Sequence, residues 1–207
     1  MTGIRKHILP AALTLLASSS SALADDPLSS LAPNAGDSAC FAREYDAAHL
    51  RRHPGQTTTG VMLSYKNEDP PHHPNVRIMI RRNAHKSPLY IVGYCAWTID
   101  KANRTVQDKP ILNTFRKKSG ADCIAATDKD SEEGGYFLID VSDGGRGLML
   151  HLDERLQAWG NTDLAREPDL VEFVGEDRVF KLSRTRPEAC ATMEKNLTVK
   201  WLVPDQK

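Results

Sequence analysis

The sequence predicts one mainly β domain: a single antiparallel β-barrel or sandwich of six to eight strands, with two or three short helices, stapled by disulfides. Three observations lead to this fold class. Apolar and polar residues alternate with period two in successive short segments, as in half-buried antiparallel strands. Clusters of Gly, Pro, Asp and Asn separate these segments. Four cysteines are spread along the chain after its N-terminal segment.

The strand pattern is clear in several segments. In residues 76–82, Val76, Ile78 and Ile80 share one face and alternate with Arg77 and Met79 on the other. Residues 142–147 (SDGGRG) form the clearest hairpin signal, because glycine adopts positive φ without steric cost. The predicted strands are residues 57–65, 76–82, 89–98, 136–141, 148–152 and 179–183, and residues 41–45 are also expected to be extended.

Three segments favour short helices. Asp46 is a good N-cap for residues 46–52, and Pro54-Gly55 ends that helix. Residues 108–120 carry an Asp cap, an early Pro and basic residues in the last turn. Residues 153–159 (DERLQAW), followed by Gly160, are predicted to be the third helix.

The composition excludes several classes of protein. The chain has 207 residues, with 27 Lys and Arg balanced by 27 Asp and Glu. This balance argues against a nucleic-acid-binding protein, which would carry an excess of basic residues. A hydrophobic fraction of 40% argues against a disordered chain and against a polytopic membrane protein.

The N-terminus has the features of a secretory signal peptide in residues 1–24. Arg5 and Lys6 precede a short apolar stretch, and Ala22-Leu23-Ala24 forms an A-x-A cleavage site. About ten apolar residues in a helix rise about 15 Å, half the thickness of a hydrocarbon core, so a membrane anchor is disfavoured. We expect residues 25–39 to form a flexible leader and residues 40–207 to form the single mainly-β domain.

Export changes the interpretation of the cysteines, because disulfides persist in oxidising compartments. The chain has no C-x-x-C pair, which disfavours a zinc site. Four cysteines allow three pairings. We favour Cys95–Cys123, because each lies in a strand-like run, and Cys40–Cys190, because these residues flank the folded region.

The segment around residues 48–56 is the first candidate for a binding face. His49 and His53 are four residues apart on the predicted helix, with Arg51 and Arg52 between them, so several hydrogen-bond donors lie together. Two histidines at this spacing can share a metal, but the intervening Glu of H-E-x-x-H is missing. We therefore predict these four residues as binding residues and predict no metal ligand.

Other polar clusters are weaker candidates. His72-His73 lies in a proline-rich turn that could hold a divalent metal. Residues 128–135 (DKDSEEGG) begin like a calcium loop but place Glu133 where the loop requires Gly. Basic pairs such as Arg81-Arg82 could converge on an anionic ligand, although scattered surface charges are the simpler interpretation.

The chain carries no local catalytic signature. We find no G-x-S-x-G or S-x-x-K motif, and no phosphate-binding glycine motif, so we predict no cofactor. A hydrolase whose site is assembled only in three dimensions is the alternative. Its acid-base candidates are His49, His53 and His151, and their carboxylate partners would be Asp140 or Asp153.

The segment YDAAHLRRHPGQ, residues 45–56, follows Cys40, and Cys123 leads into an acidic, Gly-rich stretch and an apolar strand. In these features the chain resembles a group of uncharacterised small secreted proteins of Gram-negative bacteria. The resemblance covers about residues 40–190 and implies a periplasmic location. It implies no reaction, substrate or catalytic residue.

Together these observations favour a non-catalytic periplasmic or secreted protein that binds an envelope protein or an anionic ligand, with no nucleic-acid partner. The alternatives are the hydrolase described above and a divalent-metal-binding envelope protein. A pocket that brings a histidine within hydrogen-bond reach of a carboxylate would favour the hydrolase.

Overall fold

A computed structural model of the chain describes residues 28–67, 74–83, 85–97, 120–127, 134–160 and 167–197. The predicted signal peptide, the His72-His73 turn, residues 108–119 of the predicted helix at 108–120, and residues 128–133 of the acidic segment at 128–135 lie outside the described residues. No helix in the described ranges is long and apolar enough to cross a membrane.

The described residues form ten strands and two α-helices. The helices are α1 (Ala47–Arg52) and α2 (Glu188–Asn196). The strands are β1 (Ser38–Glu44), β2 (Thr58–Lys66), β3 (Val76–Arg82), β4 (Leu89–Trp97), β5 (Ala121–Ala125), β6 (Tyr136–Ser142), β7 (Gly147–Leu152), β8 (Arg155–Ala158), β9 (Asp169–Glu172) and β10 (Val179–Thr185).

Eight of these strands form a closed antiparallel barrel, which confirms the predicted fold class and selects the barrel over the sandwich. Strands β1 to β7 pair with their neighbours in chain order, and β10 closes the sheet between β7 and β1. Because β1 and β10 are antiparallel, Cys40 lies opposite Thr185. The end of β1 and the beginning of β10 therefore meet at the same end of the barrel.

The barrel interior is a packed apolar core. Period-two alternation points one face of each strand inward, so that Phe41, Phe137 and Phe180 are all buried in the main cluster. Val76, Ile78 and Ile80 of β3 face the same core, as their spacing predicted. Side chains fill the barrel, which leaves its outside and its ends as the places for a functional site.

The packed part of the chain begins before Cys40, where we expected a flexible leader. Leu28, Leu31 and Ala32 are buried in the main core, and β1 starts at Ser38. The Arg184 guanidinium donates to the Leu31 carbonyl oxygen at 2.9 Å. Burial of these three apolar side chains packs the segment against the main core, although the surrounding sequence is rich in turn residues.

Residues 153–159 do not form the predicted helix. Arg155–Ala158 is strand β8, which pairs with β9 in a separate two-stranded hairpin. Backbone hydrogen bonds of 2.8 Å in both directions join Trp159 to Tyr90 of β4. Leu156 is buried in the main core, so tertiary pairing and burial override the local helix preference.

Both predicted disulfides are present, one on the outside of the barrel and the other in its interior. Cys40–Cys190 joins β1 to α2 on the outside of the barrel, where both residues belong to a second apolar cluster with Met193. Cys95–Cys123 joins directly opposite residues of β4 and β5 and belongs to the interior cluster.

The predicted hairpin at residues 142–147 joins β6 to β7 through a short 3₁₀ turn, Asp143–Gly145. Gly144 has φ +63° and Gly145 has φ +83°, values that L side chains rarely adopt. The two glycines therefore allow this tight connection.

Candidate functional site

An open pocket of about 380 Å³ lies beside α1, and we call it the α1 pocket. It forms where α1, which follows β1, meets the 3₁₀ turn Gly175–Arg178, which precedes β10. The closure of the barrel between β1 and β10 brings these two segments together. The pocket is lined by Arg43, Tyr45, His49, His53, Gln56, Gly175, Glu176, Val179 and Lys181.

Helix α1 presents the two histidines because of local signals. The Asp46 carboxylate accepts a hydrogen bond from the His49 amide at 2.7 Å, and this bond lowers the pKa of the Asp46 carboxyl. Residues four apart lie one turn above each other, so the His49 and His53 rings stack with centroids 4.3 Å apart. The helix ends at Arg52, with His53 as its C-cap, before Pro54-Gly55.

The protonation of His49 at Nε2 follows from its neighbours. The Gln56 amide nitrogen donates to the Thr58 carbonyl oxygen at 2.8 Å, which turns the Gln56 amide oxygen towards His49. That oxygen lies 3.1 Å from His49 Nε2 and can only accept, so Nε2 carries a proton. The Tyr45 ring also packs against the His49 ring, with centroids 4.7 Å apart.

His53 faces a carboxylate that sequence reasoning did not identify. Its Nδ1 lies 2.8 Å from Glu176 Oε1, so Nδ1 is the donor. Both side chains are about two-fifths exposed (41% and 42%), and solvent screening keeps the contribution of this contact to stability small. Within the described part of the chain, no hydrogen bond engages His49 Nδ1 or His53 Nε2, which leaves both nitrogens available to a ligand.

The turn that carries Glu176 is held in place by its neighbour Asp177. Asp177 is only 4% exposed. Its carboxylate accepts from the Thr57 amide at 3.0 Å, the Thr57 hydroxyl at 2.6 Å and the Thr58 amide at 2.9 Å. Burial raises the pKa of Asp177, but these hydrogen bonds outweigh burial and lower it overall. The pocket wall is therefore pre-organised.

Gly55 makes room for Glu176. A Cβ atom at Gly55 would lie 3.2 Å from Glu176 Oε2, closer than ordinary van der Waals contact. The Pro54-Gly55 turn thus ends α1 and also accommodates the carboxylate that faces His53.

The pocket combines positive charge with apolar surface. Arg43 and Lys181 supply two permanent cations against the single carboxylate of Glu176. Burial raises the pKa of the Tyr45 phenol, which stays neutral at physiological pH. Val179, which is 46% exposed, provides apolar surface beside these groups.

The structure brings together only some of the candidate residues. His49 and His53 line the pocket, whereas Arg51 and Arg52 are exposed on α1 and do not. The other hydrolase candidates, His151, Asp140 and Asp153, also lie outside the lining. Glu176 and Lys181 could not be paired with α1 from the sequence, because more than a hundred residues separate them and only barrel closure joins them.

The described residues contain no group of three or more His, Cys, Asp or Glu side chains that could hold a metal ion. None of the residues that line the α1 pocket is Ser, Thr or Cys. The pocket therefore offers general acid-base groups and cations, but no side-chain nucleophile of these types.

Comparisons with known proteins add no further assignment, since no family model, curated protein or solved structure matches the chain.

Proposed function

We propose that this protein is an exported, non-catalytic binding protein whose α1 pocket binds a small organic anion. The signal-like N-terminus and the two disulfides support a periplasmic or secreted location. A volume of about 380 Å³ falls within the range typical of small-molecule sites.

The observation that carries the proposal is the composition of one pocket. Arg43, Lys181 and the stacked histidines place hydrogen-bond donors around a surface that also contains the Tyr45 ring and Val179. Donors of this kind recognise carboxylates and related anions, and the apolar surface favours a ligand with an apolar part.

Isothermal titration calorimetry with benzoate, benzenesulfonate and neutral benzamide tests this proposal. We expect the two anions to bind and benzamide to bind at least about tenfold more weakly, because it lacks charge-assisted hydrogen bonds. Arg43→Gln and Lys181→Gln should each weaken benzoate binding by about tenfold. Arg146→Gln, in the β6–β7 hairpin at the other end of the barrel, is the matched control. Equal affinity for benzoate and benzamide would contradict the proposal.

Arg51 and Arg52 have a different role in this proposal. They are exposed beside the pocket and attract an anion only through solvent. Their substitution by Gln should weaken benzoate binding by no more than about twofold, and this effect should disappear at high salt. Larger effects would favour an envelope protein that docks on the whole α1 face.

One observation favours a hydrolase as the second candidate: His53 and Glu176 form a hydrogen-bonded pair at the edge of a pocket. Turnover of p-nitrophenyl acetate and p-nitrophenyl phosphate distinguishes the two functions. The binding proposal predicts equal rates for the wild type and His53→Gln. Turnover by the wild type that this substitution abolishes would support the hydrolase instead.

A further inference from the structure

The stacked histidines of the α1 pocket have too few internal counter-ions to hold two positive charges. Their ring centroids are 4.3 Å apart, a distance at which two imidazolium ions repel each other. Glu176 faces His53, whereas His49 contacts the neutral Tyr45 ring and the Gln56 amide oxygen. Glu176 is the acidic residue of the lining, and Asp46 at the start of α1 adds a second negative charge that acts on His49. Against these two carboxylates stand the two imidazoles and two further cations, Arg43 and Lys181.

A bound anion would supply the missing negative charge. A ligand carboxylate in the pocket can accept hydrogen bonds from His49 Nδ1 and His53 Nε2, the two ring nitrogens left available, only when those nitrogens carry protons. Binding and protonation are then thermodynamically linked, and each favours the other.

Building on the proposed function, we propose that the α1 pocket takes up protons from solvent onto the His49–His53 pair as it binds an organic anion. Affinity for the anion then rises as the pH falls from about 8 to about 5.5, the range in which histidines ordinarily change charge. Such a site binds its ligand in a mildly acidic environment and releases it when the pH rises.

The other groups around the histidines keep a fixed charge in this range. Hydrogen bonding holds the pKa of the Asp46 and Asp177 carboxyls low, and burial raises the pKa of the Tyr45 phenol. Arginine and lysine remain protonated throughout. The charged and titratable neighbours are Arg43 and Tyr45 from β1 and its extension, Asp46, Arg51 and Arg52 from α1 and its cap, Glu176 and Asp177 from the turn, and Lys181 from β10.

Benzoate is a suitable probe because it stays ionised over the whole range. We expect the wild type to bind benzoate at least about fivefold more tightly at pH 5.5 than at pH 8, because protonation of the histidine pair and anion binding favour each other. In NMR titrations followed by their ring signals, His49 and His53 should become protonated at a higher pH when benzoate is present. Benzoate should not change the pH at which the exposed His85 ring becomes protonated.

Variants separate this inference from the proposed function. His49→Asn and His53→Asn should reduce the pH dependence of benzoate binding, whereas His85→Asn should leave it unchanged. Lys181→Gln should weaken binding by the same factor at every pH. Circular dichroism checks that each variant is folded. We expect the His49 and His53 variants to fold, because no described side chain of α1 is fully buried.

The outcomes are distinct. Benzoate binding that is independent of pH would overturn the proton-linked inference and leave the proposed function standing. Absence of benzoate binding at every pH between 5.5 and 8 would overturn both.

Discussion

Asp177 fixes the turn that carries Glu176 in the α1 pocket. Its buried carboxylate accepts from the Thr57 amide and hydroxyl and from the Thr58 amide. We expect Asp177→Asn to lower the free energy of unfolding by about 1–3 kcal/mol, because an amide nitrogen would then face backbone donors. Urea denaturation measures this loss, and the exposed Asp169→Asn is the control. Equal stability of the two variants would contradict the assigned role.

The same carboxyl predicts a pH dependence with a definite sign. Because its pKa is lower in the folded state, Asp177 stabilises the fold above the unfolded-state pKa of about 3.9 and loses this contribution as the pH falls through the folded-state pKa. The stability difference between the wild type and Asp177→Asn should therefore be constant from pH 7 to pH 5 and narrow below about pH 4. A difference that widens on acidification would contradict this account.

The residues of the pocket differ in how far the sequence predicts them. His49 and His53 are predictable because the spacing of four residues on a helix is a local property. Glu176 is not, because its partner His53 is 123 residues away and no local pattern connects them. Arg51 and Arg52 share the segment but not the pocket, since they extend from other faces of α1.

Helix α1 depends on its cap, since a six-residue helix has little intrinsic stability. Asp46→Ala removes the acceptor for the His49 amide and should loosen the first turn, so that the histidine stack forms less often. We expect weaker benzoate binding and faster hydrogen exchange at the His49 amide. Asp46→Ser keeps a capping oxygen and should retain both properties; equal loss in the two variants would argue against a capping role.

The hairpin of β8 and β9 shows why the helix prediction for residues 153–159 was wrong. The segment is short and contains good helix formers, but Leu156 reaches the main core and Trp159 pairs with β4. Contacts with residues distant in sequence therefore decide its conformation.

Two leucines test the hairpin directly. Leu156 is fully buried, whereas Leu170, on β9, is 58% exposed. We expect Leu156→Ala to lower the free energy of unfolding by about 2–5 kcal/mol and Leu170→Ala to change it by no more than about 0.5 kcal/mol. Chemical denaturation of both variants measures the difference. Similar losses would show that the hairpin does not have this register.

The barrel is closed by contacts between parts of the chain that are far apart in the sequence. The alternation of the strands predicted a barrel or a sandwich, but only the pairing of β1 with β10 makes the barrel closed. Alternation is a local property, whereas closure depends on which sheet edges meet. The sequence pattern therefore did not distinguish a barrel from a sandwich. The cysteine pairing was predictable because Cys95 and Cys123 lie in strand-like runs, whereas Cys40 and Cys190 flank the folded region.

Cys40–Cys190 reinforces this closure, because it links β1 to the helix that follows β10 across 150 residues. The chain-entropy model gives about 5 kcal/mol for a loop of this size, as an upper figure. We expect the double variant Cys40→Ala, Cys190→Ala to be destabilised by about 2–5 kcal/mol while keeping the barrel. Thermal and urea unfolding measure the loss, and far-ultraviolet circular dichroism checks the fold. Unchanged stability would contradict the role of this disulfide.

The central claim is that the α1 pocket is an anion-binding site, and amide chemical-shift mapping with benzoate at pH 6 tests it most directly. We predict saturable shifts that cluster in residues 43–56 and 175–181, with none in the 142–147 hairpin. Shifts that do not saturate, or that cluster elsewhere on the barrel, would contradict the claim.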